Sequence, residues 1–314
     1  MHVLSVSSLK GGVGKTTVAL GLASAAFNQG LRTLVVDLDP QCDATTGLGA
    51  IGEFAETVAD VLQNPRHNIV HRAIVSSPWN KLHSGNIDVL VGSPKSQALD
   101  SPSPTINEIW RLEIALAKIE SEYDLVIIDT PPSVNGLTRT AWVASDRVII
   151  VSEPSLFSVV AADRTMHALA ELRRGLTDRL ETLGILINRF RPQSKEGDFR
   201  VSELREKYGD RILPQMVEER TVLQTAQGAG RPIHGWPGES AIEIAAVFDR
   251  VLEYVQKSLG QSTPSRIARN SRKVLRLNRV MRGQSLDEVL KLEATESKDE
   301  ISDLLGLDDE TKKD

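Results

Sequence analysis

The sequence is almost without cysteine. Its 314 residues include only Cys42, so no intramolecular disulfide can form, and a lone thiol suits a reducing cytosol. Long apolar runs are also missing. No stretch approaches the roughly eighteen uninterrupted apolar residues that a membrane-spanning helix requires. The first residues lack a basic region leading into an apolar run, so we expect no secretory signal. Excess positive charge is absent too: the net charge is -5, which excludes a uniformly basic nucleic-acid binder while leaving room for a local basic patch. We find no internal repeat of roughly 20 to 50 residues. What remains is 40% hydrophobic and 25% charged, the composition of a soluble globular chain that can bury a full core. We expect a cytoplasmic protein.

Short β-branched runs alternate with helical patterns over the first two-thirds of the chain. Strands are expected at 2–6, 32–37, 87–91, 124–129, 147–151 and 183–188, with a short one at Ile212 and Leu213. Helical spacing covers 15–28, 57–62, 105–120, 136–144, 159–174, 199–208, 221–227 and 239–259. Near-continuous apolar strands alternating with helices predict a doubly wound, mostly parallel α/β sheet covered on both faces. The pattern stops near Gly260, which gives an expected domain over 1–260. A linker and basic segment follow at 261–283, then an acidic tail at 284–314. Arg266, Arg269, Arg272, Lys273, Arg276, Arg279 and Arg282 give the basic segment a charge of +7 without one acid. The tail from Ser285 holds eleven acids and four lysines, hence 4 − 11 = -7.

The strongest chemical signal is Lys10-Gly11-Gly12-Val13-Gly14-Lys15-Thr16-Thr17, set between an expected strand and an expected helix. That is the context of a phosphate-binding loop. Glycines let backbone N–H groups approach phosphate oxygens, and the following helix adds the positive end of its dipole. Lys15 is placed to reach the β- and γ-phosphates, and the Thr16 hydroxyl to ligate Mg²⁺. Asp37 and Asp39 end the second strand two residues apart, on one side if the strand continues, at the sheet edge where ligands bind. Either could instead cap the next turn. Asp129 ends the apolar run 124–129 and can hold Mg²⁺ through water. Thr130 to Gly136 then reads as a loop able to sense the γ-phosphate. Asn188 ends another strand; its amide suits an adenine edge, although a plain strand-end role is open.

The loop has Leu9 where the general P-loop spacing wants glycine. Lys-Gly-Gly-x-Gly-Lys-Thr-Thr resembles the deviant Walker A motif of the ParA/MinD family, and Asp37-Leu38-Asp39-Pro40-Gln41 looks like its D-x-D-P-Q segment. The resemblance covers about residues 1–258. It implies an ATP- and Mg²⁺-dependent hydrolase in which Lys10 crosses a nucleotide-sandwich homodimer to the partner's phosphates. It also implies that Asp39 orients the attacking water, that Asp37 supports the Mg²⁺ shell, that Asn188 contacts adenine, and that Pro214 begins an adenine-side loop. The acidic C-terminus lacks the basic amphipathic helix of membrane-binding relatives. Cys42 alone cannot hold an iron–sulfur cluster, and the three tyrosines form no terminal cluster. These absences favour the DNA-segregation branch. That branch implies non-specific DNA binding, a centromere-binding ParB-like adaptor that stimulates hydrolysis, and a nucleoid-associated place in a prokaryote. Positioning of another cargo and an ordinary metabolic P-loop enzyme are the alternatives. On a helix, at about 100° per residue, the basic residues of 266–282 share one side. That face suits phosphate backbones first, and also a membrane surface or the acidic tail; a solvated helix packed on the main domain is the plainer alternative. Arg189, Arg191, Arg220 and Arg231 are further DNA-contact candidates.

Overall fold

The Val- and Ile-rich runs become strands of one eight-stranded sheet in the order β3-β4-β2-β5-β1-β6-β7-β8. The structure is a computed structural model; it describes residues 1–82, 85–177, 179–260 and residues 284, 285, 287 and 288. The strands are β1 His2–Ser7, β2 Arg32–Asp37, β3 Ile74–Ser76, β4 Asn86–Leu90, β5 Leu125–Asp129, β6 Arg147–Ser152, β7 Glu181–Phe190 and β8 Ile212–Glu218. Every pairing is parallel except β3 with β4. Strand alternation explains why these runs are apolar throughout. In β5, Leu125 and Ile127 enter one core while Val126 and Ile128 enter the other.

Helices cover both faces. They are α1 Lys15–Asn28, α2 Asp43–Gly47, α3 Val58–Gln63, α4 His67–Ala73, α5 Ile106–Ile109, α6 Arg111–Leu116, α7 Gly136–Ala144, α8 Leu156–Leu176, α9 Lys195–Tyr208, α10 Thr221–Gly228 and α11 Glu239–Leu259. On one face α11 packs on α1, and Phe248 is fully buried there. Gly21 makes this approach possible: a Cβ at that position would lie 2.3 Å from the Phe248 ring. The opposite face carries α3, α6 and α7 over the central strands and α8 and α9 over β6 and β7.

Two expectations need correction, and one strand was not anticipated. The helical pattern of 105–120 breaks into α5, α6 and a 3₁₀ turn at Ala117–Ile119. Trp110 ends one helix and caps the next while its own side chain is buried, so spacing predicted the buried face but not the break. The short strand at Ile212 runs on to Glu218, which puts Pro214 inside β8 instead of at the start of a loop. Proline is tolerated there because β8 is the outer strand and Pro214 faces solvent. The antiparallel edge β3 was not legible, since three residues carry no periodicity.

Residues 261–283, with the basic candidates Arg266, Arg269, Arg272, Lys273, Arg276, Arg279 and Arg282, lie outside the described residues, as does most of the acidic tail. The described tail residues touch the main body. Ile106 N donates to Gln284 O at 3.3 Å, Ser285 bridges Thr105, and Arg139 pairs with Asp287 at 2.9 Å. Among the described residues no helix is long and apolar enough to cross a membrane.

Candidate functional site

The phosphate loop leaves the C-terminal end of β1 and enters α1. Gly12 and Gly14 take left-handed φ values of 78° and 88°, which side chains disfavour. A Cβ at Gly14 would also lie 2.3 Å from Asn188 Nδ2, whereas Gly11 and Gly12 face open space. The loop therefore has its back to β7 and its front open. Before it lies a cleft of about 520 Å³ lined by Gly11, Gly12, Gly14, Lys15, Thr16, Thr17, Asp39, Gln41, Pro132, Arg189 and Gln227, among others. That size suits a nucleotide-scale ligand.

Strand register assembles the carboxylates. β5 lies between β1 and β2, and Asp129 sits level with Asp37 on one side and Val6 on the other. Thr16 Oγ1 donates to Asp129 Oδ2 at 2.6 Å. Asp129 is fully buried and its Oδ1 has no hydrogen-bond partner. Burial, reinforced by the charge of Asp37, raises its pKa, against the pull of Thr16 and Lys15. Asp37 Oδ2 accepts from both the Thr45 N–H and hydroxyl at 2.7 Å, and its Oδ1 is likewise unpartnered. Burial pushes its pKa to about 6, against the Thr45 hydrogen bonds. Lys15 is 6% exposed; burial lowers its pKa despite Asp129 and Asp39. Asp39, half-buried at the cleft, accepts from Gln41 N at 3.0 Å, and burial raises its pKa.

Buried, partly orphaned carboxylate oxygens beside a threonine hydroxyl and a glycine loop that opens on the cleft form a site suited to Mg²⁺ and polyphosphate. The residues fit that pair. Thr16 and Asp129 would hold the cation, with Asp37 behind them and fixed by Thr45.

Lys10 is not in the cleft lining. Its Nζ ion-pairs with Glu153 and donates to Ser155 Oγ at 3.0 Å and Ser158 Oγ at 3.2 Å. The end of β6 and the first turn of α8 thus hold it within its own chain. Asn188 is 2% exposed and its Nδ2 donates to Val13 O at 2.7 Å. Its amide nitrogen buttresses the phosphate loop from behind. The arginine candidates separate. Arg189, at φ 55°, is exposed and lines the mouth of the nucleotide cleft. Arg191 pairs with Glu219, and Arg220 with Glu218 at 2.7 Å and Glu243 at 3.4 Å. Arg231 is exposed. Charge alone had not disclosed these partners.

Several site residues escaped the sequence. Thr45, which fixes Asp37, has no motif of its own. Gln227 approaches Thr17 at 3.5 Å from α10, a contact no local pattern announces. Glu153 could have been found: it follows an apolar strand, as Asp129 does.

The AAA domain family matches residues 1–182. The chromosome-partitioning ATPase Soj of Thermus thermophilus is 30% identical over 260 residues, covering 81% of this chain and 97% of that protein. The chromosome partitioning protein ParA of Caulobacter vibrioides is 29% identical over 238 residues, covering 74% of this chain and 86% of its own. Among solved structures, a McdA variant from Cyanothece in complex with ATP superposes with a TM-score of 0.70 at 22% identity, covering 84% of this chain and 99% of that one. At that identity the likeness concerns the fold.

Proposed function

The chain belongs to the ParA/MinD family of P-loop ATPases, and from that premise we propose that it is an ATP-switched DNA-partition protein. ATP with Mg²⁺ assembles a homodimer, the dimer binds non-specific DNA, and a centromere-binding ParB-like adaptor stimulates hydrolysis and release. The cycle segregates a plasmid or chromosome locus on the nucleoid. The observation that carries the reading is the pairing of two lysines around one glycine loop. Lys15 is buried among the site's carboxylates, and Lys10 is tethered at its rim.

In this reading the N–H groups of residues 11–16 and the Lys15 ammonium bind the β- and γ-phosphates. Mg²⁺, when bound, neutralises charge between those phosphates. Thr16 and Asp129 would hold its shell, with Asp37, fixed by its hydrogen bonds to Thr45, in support. Asp39, on the open side of the cleft, orients the attacking water. The loop Thr130–Gly136 carries the γ-phosphate signal outward. It is anchored at its far end, where Asp100 accepts from Asn135 Nδ2 at 3.3 Å and Leu137 N at 3.0 Å. Lys10 exchanges Glu153 for the partner's phosphates when the dimer forms. Names such as chromosome-partitioning ATPase among relatives near 30% identity support partition over metabolism.

The test is binding to non-specific duplex DNA with ATP, ADP or no nucleotide, across a salt series. We expect binding with ATP alone, falling steeply with salt. Dimerisation with ATP but no DNA binding in any state would overturn partition and leave positioning of another cargo. Equal DNA binding in all three states would remove the switch. Shortening the chain after Gly260 should weaken DNA binding and flatten its salt dependence.

A further inference from the structure

Away from the nucleotide cleft, His67 and His71 lie one turn apart on α4, so their rings share one side of the helix. Their Nε2 atoms are 3.2 Å apart. Glu122 Oε1 approaches His71 Nε2 at 3.3 Å from the turn that leads into β5. All three donor atoms lie within 4.8 Å of one another. We propose that His67, His71 and Glu122 form a surface site for a divalent transition-metal ion of the zinc class, clamping α4 to the lead-in of β5.

The spacing is that of a coordination shell. Tetrahedral zinc with ligands at roughly 2.0–2.1 Å separates neighbouring donors by roughly 3.3–3.4 Å. Two of the three edges, 3.2 and 3.3 Å, lie close to that figure, and the third pair of donors is within 4.8 Å. A hydrogen bond between the imidazoles accounts for one edge only. It does not require a carboxylate oxygen beside the same His71 nitrogen. Two imidazoles and one carboxylate select zinc, nickel or copper over Mg²⁺, which prefers oxygen. The His71 and Glu122 side chains are 37% and 40% exposed, so water can take the fourth position.

The site joins parts of the fold that the backbone connects only at a distance. α4 leads into β3, the antiparallel edge strand. Glu122 sits in a turn closed by its own N–H to Ile119 O at 3.0 Å, just ahead of β5. Asp129 is at the other end of that strand, so the metal and nucleotide sites are separate. The proposal does not depend on the partition reading.

The experiment uses the full-length untagged chain, stripped with a chelator and free of nucleotide. Zn²⁺ binding is followed by calorimetry, and Co²⁺ binding by visible absorption, which reports tetrahedral geometry. We expect one Zn²⁺ per chain above any weak background from the acidic tail, an intense tetrahedral Co²⁺ spectrum, and a higher melting temperature with Zn²⁺. Glu122→Gln and His71→Ala should each weaken Zn²⁺ at least about tenfold, with ATP binding unchanged. Should His71→Ala fold poorly, Glu122→Gln alone decides. Absence of Zn²⁺ binding in the wild type, or wild-type Zn²⁺ affinity in Glu122→Gln, overturns the site.

Discussion

If Lys10 must reach a partner's phosphates, the contacts that hold it in its own chain oppose dimerisation, and removing their charge should strengthen the dimer. Glu153→Gln is the sharpest perturbation. The Lys10 and Glu153 side chains are 29% and 23% exposed, so the pair is more sheltered than a surface ion pair, worth at most about 1 kcal/mol. It is less sheltered than a buried charged hydrogen bond, worth about 1.5–3 kcal/mol. About 1–1.5 kcal/mol per protomer follows. The hydrogen bonds to Ser155 and Ser158 remain in the variant. A symmetric dimer releases two such contacts, so the dissociation constant should fall by about 30- to 150-fold, for about 2–3 kcal/mol in total. Sedimentation equilibrium with Mg²⁺ and a non-hydrolysable ATP analogue measures it. Lys10→Ala in the same assay should leave a nucleotide-binding monomer. A Glu153→Gln chain that melts normally yet dimerises no more tightly than wild type would refute the idea that this pair is a brake. A Lys10→Ala chain that still dimerises would remove Lys10 from the interface.

Further outcomes rest on the same geometry. Asp37 and Asp129 have folded pKa values raised above those of an unfolded carboxylate, so the nucleotide-free fold binds more protons than the unfolded chain. Its stability should fall as pH rises from about 4 through about 6 for Asp37 and on through about 8 for Asp129; melting with chelator at pH 5 and pH 8 checks the sign, and Asp129→Asn should flatten the slope. Gly14→Ala forces a side chain into a left-handed backbone 2.3 Å from Asn188 Nδ2. Strain of about 1–3 kcal/mol should abolish ATP binding in a calorimeter while circular dichroism stays native. Phe248→Ala empties the contact over Gly21 and should cost about 3–5 kcal/mol in denaturant unfolding, without changing nucleotide affinity per folded molecule. Asp39→Ala should bind ATP and dimerise but not turn over, and phosphate release at the wild-type rate would remove Asp39 from catalysis.

The legible parts of this protein are those where a local pattern has one structural meaning. The strand at Arg32–Asp37 and the helices at Lys15–Asn28, Gly136–Ala144 and Glu239–Leu259 fall where apolar periodicity put them, because buried faces leave no other register. The glycine loop was legible for the same reason: its residues are demanded by backbone geometry. Partnership was not legible. Arg191 and Asn188 are polar side chains whose partners come from other elements, and nothing near them in sequence names Glu219 or Val13. The acids after β5 and β6 show what was missing. Asp129 is the last residue of one apolar strand and Glu153 the first residue after another, and a sequence rule that looks for an acid at the end of an apolar strand finds both. Their roles diverge because β5 and β6 flank β1 on opposite sides. The phosphate loop leaves β1 between them, so one acid meets Thr16 at the start of α1 and the other meets Lys10 at the start of the loop. Strand order, a long-range property, turns one sequence signal into a candidate metal ligand on the left of the loop and a lysine tether on the right.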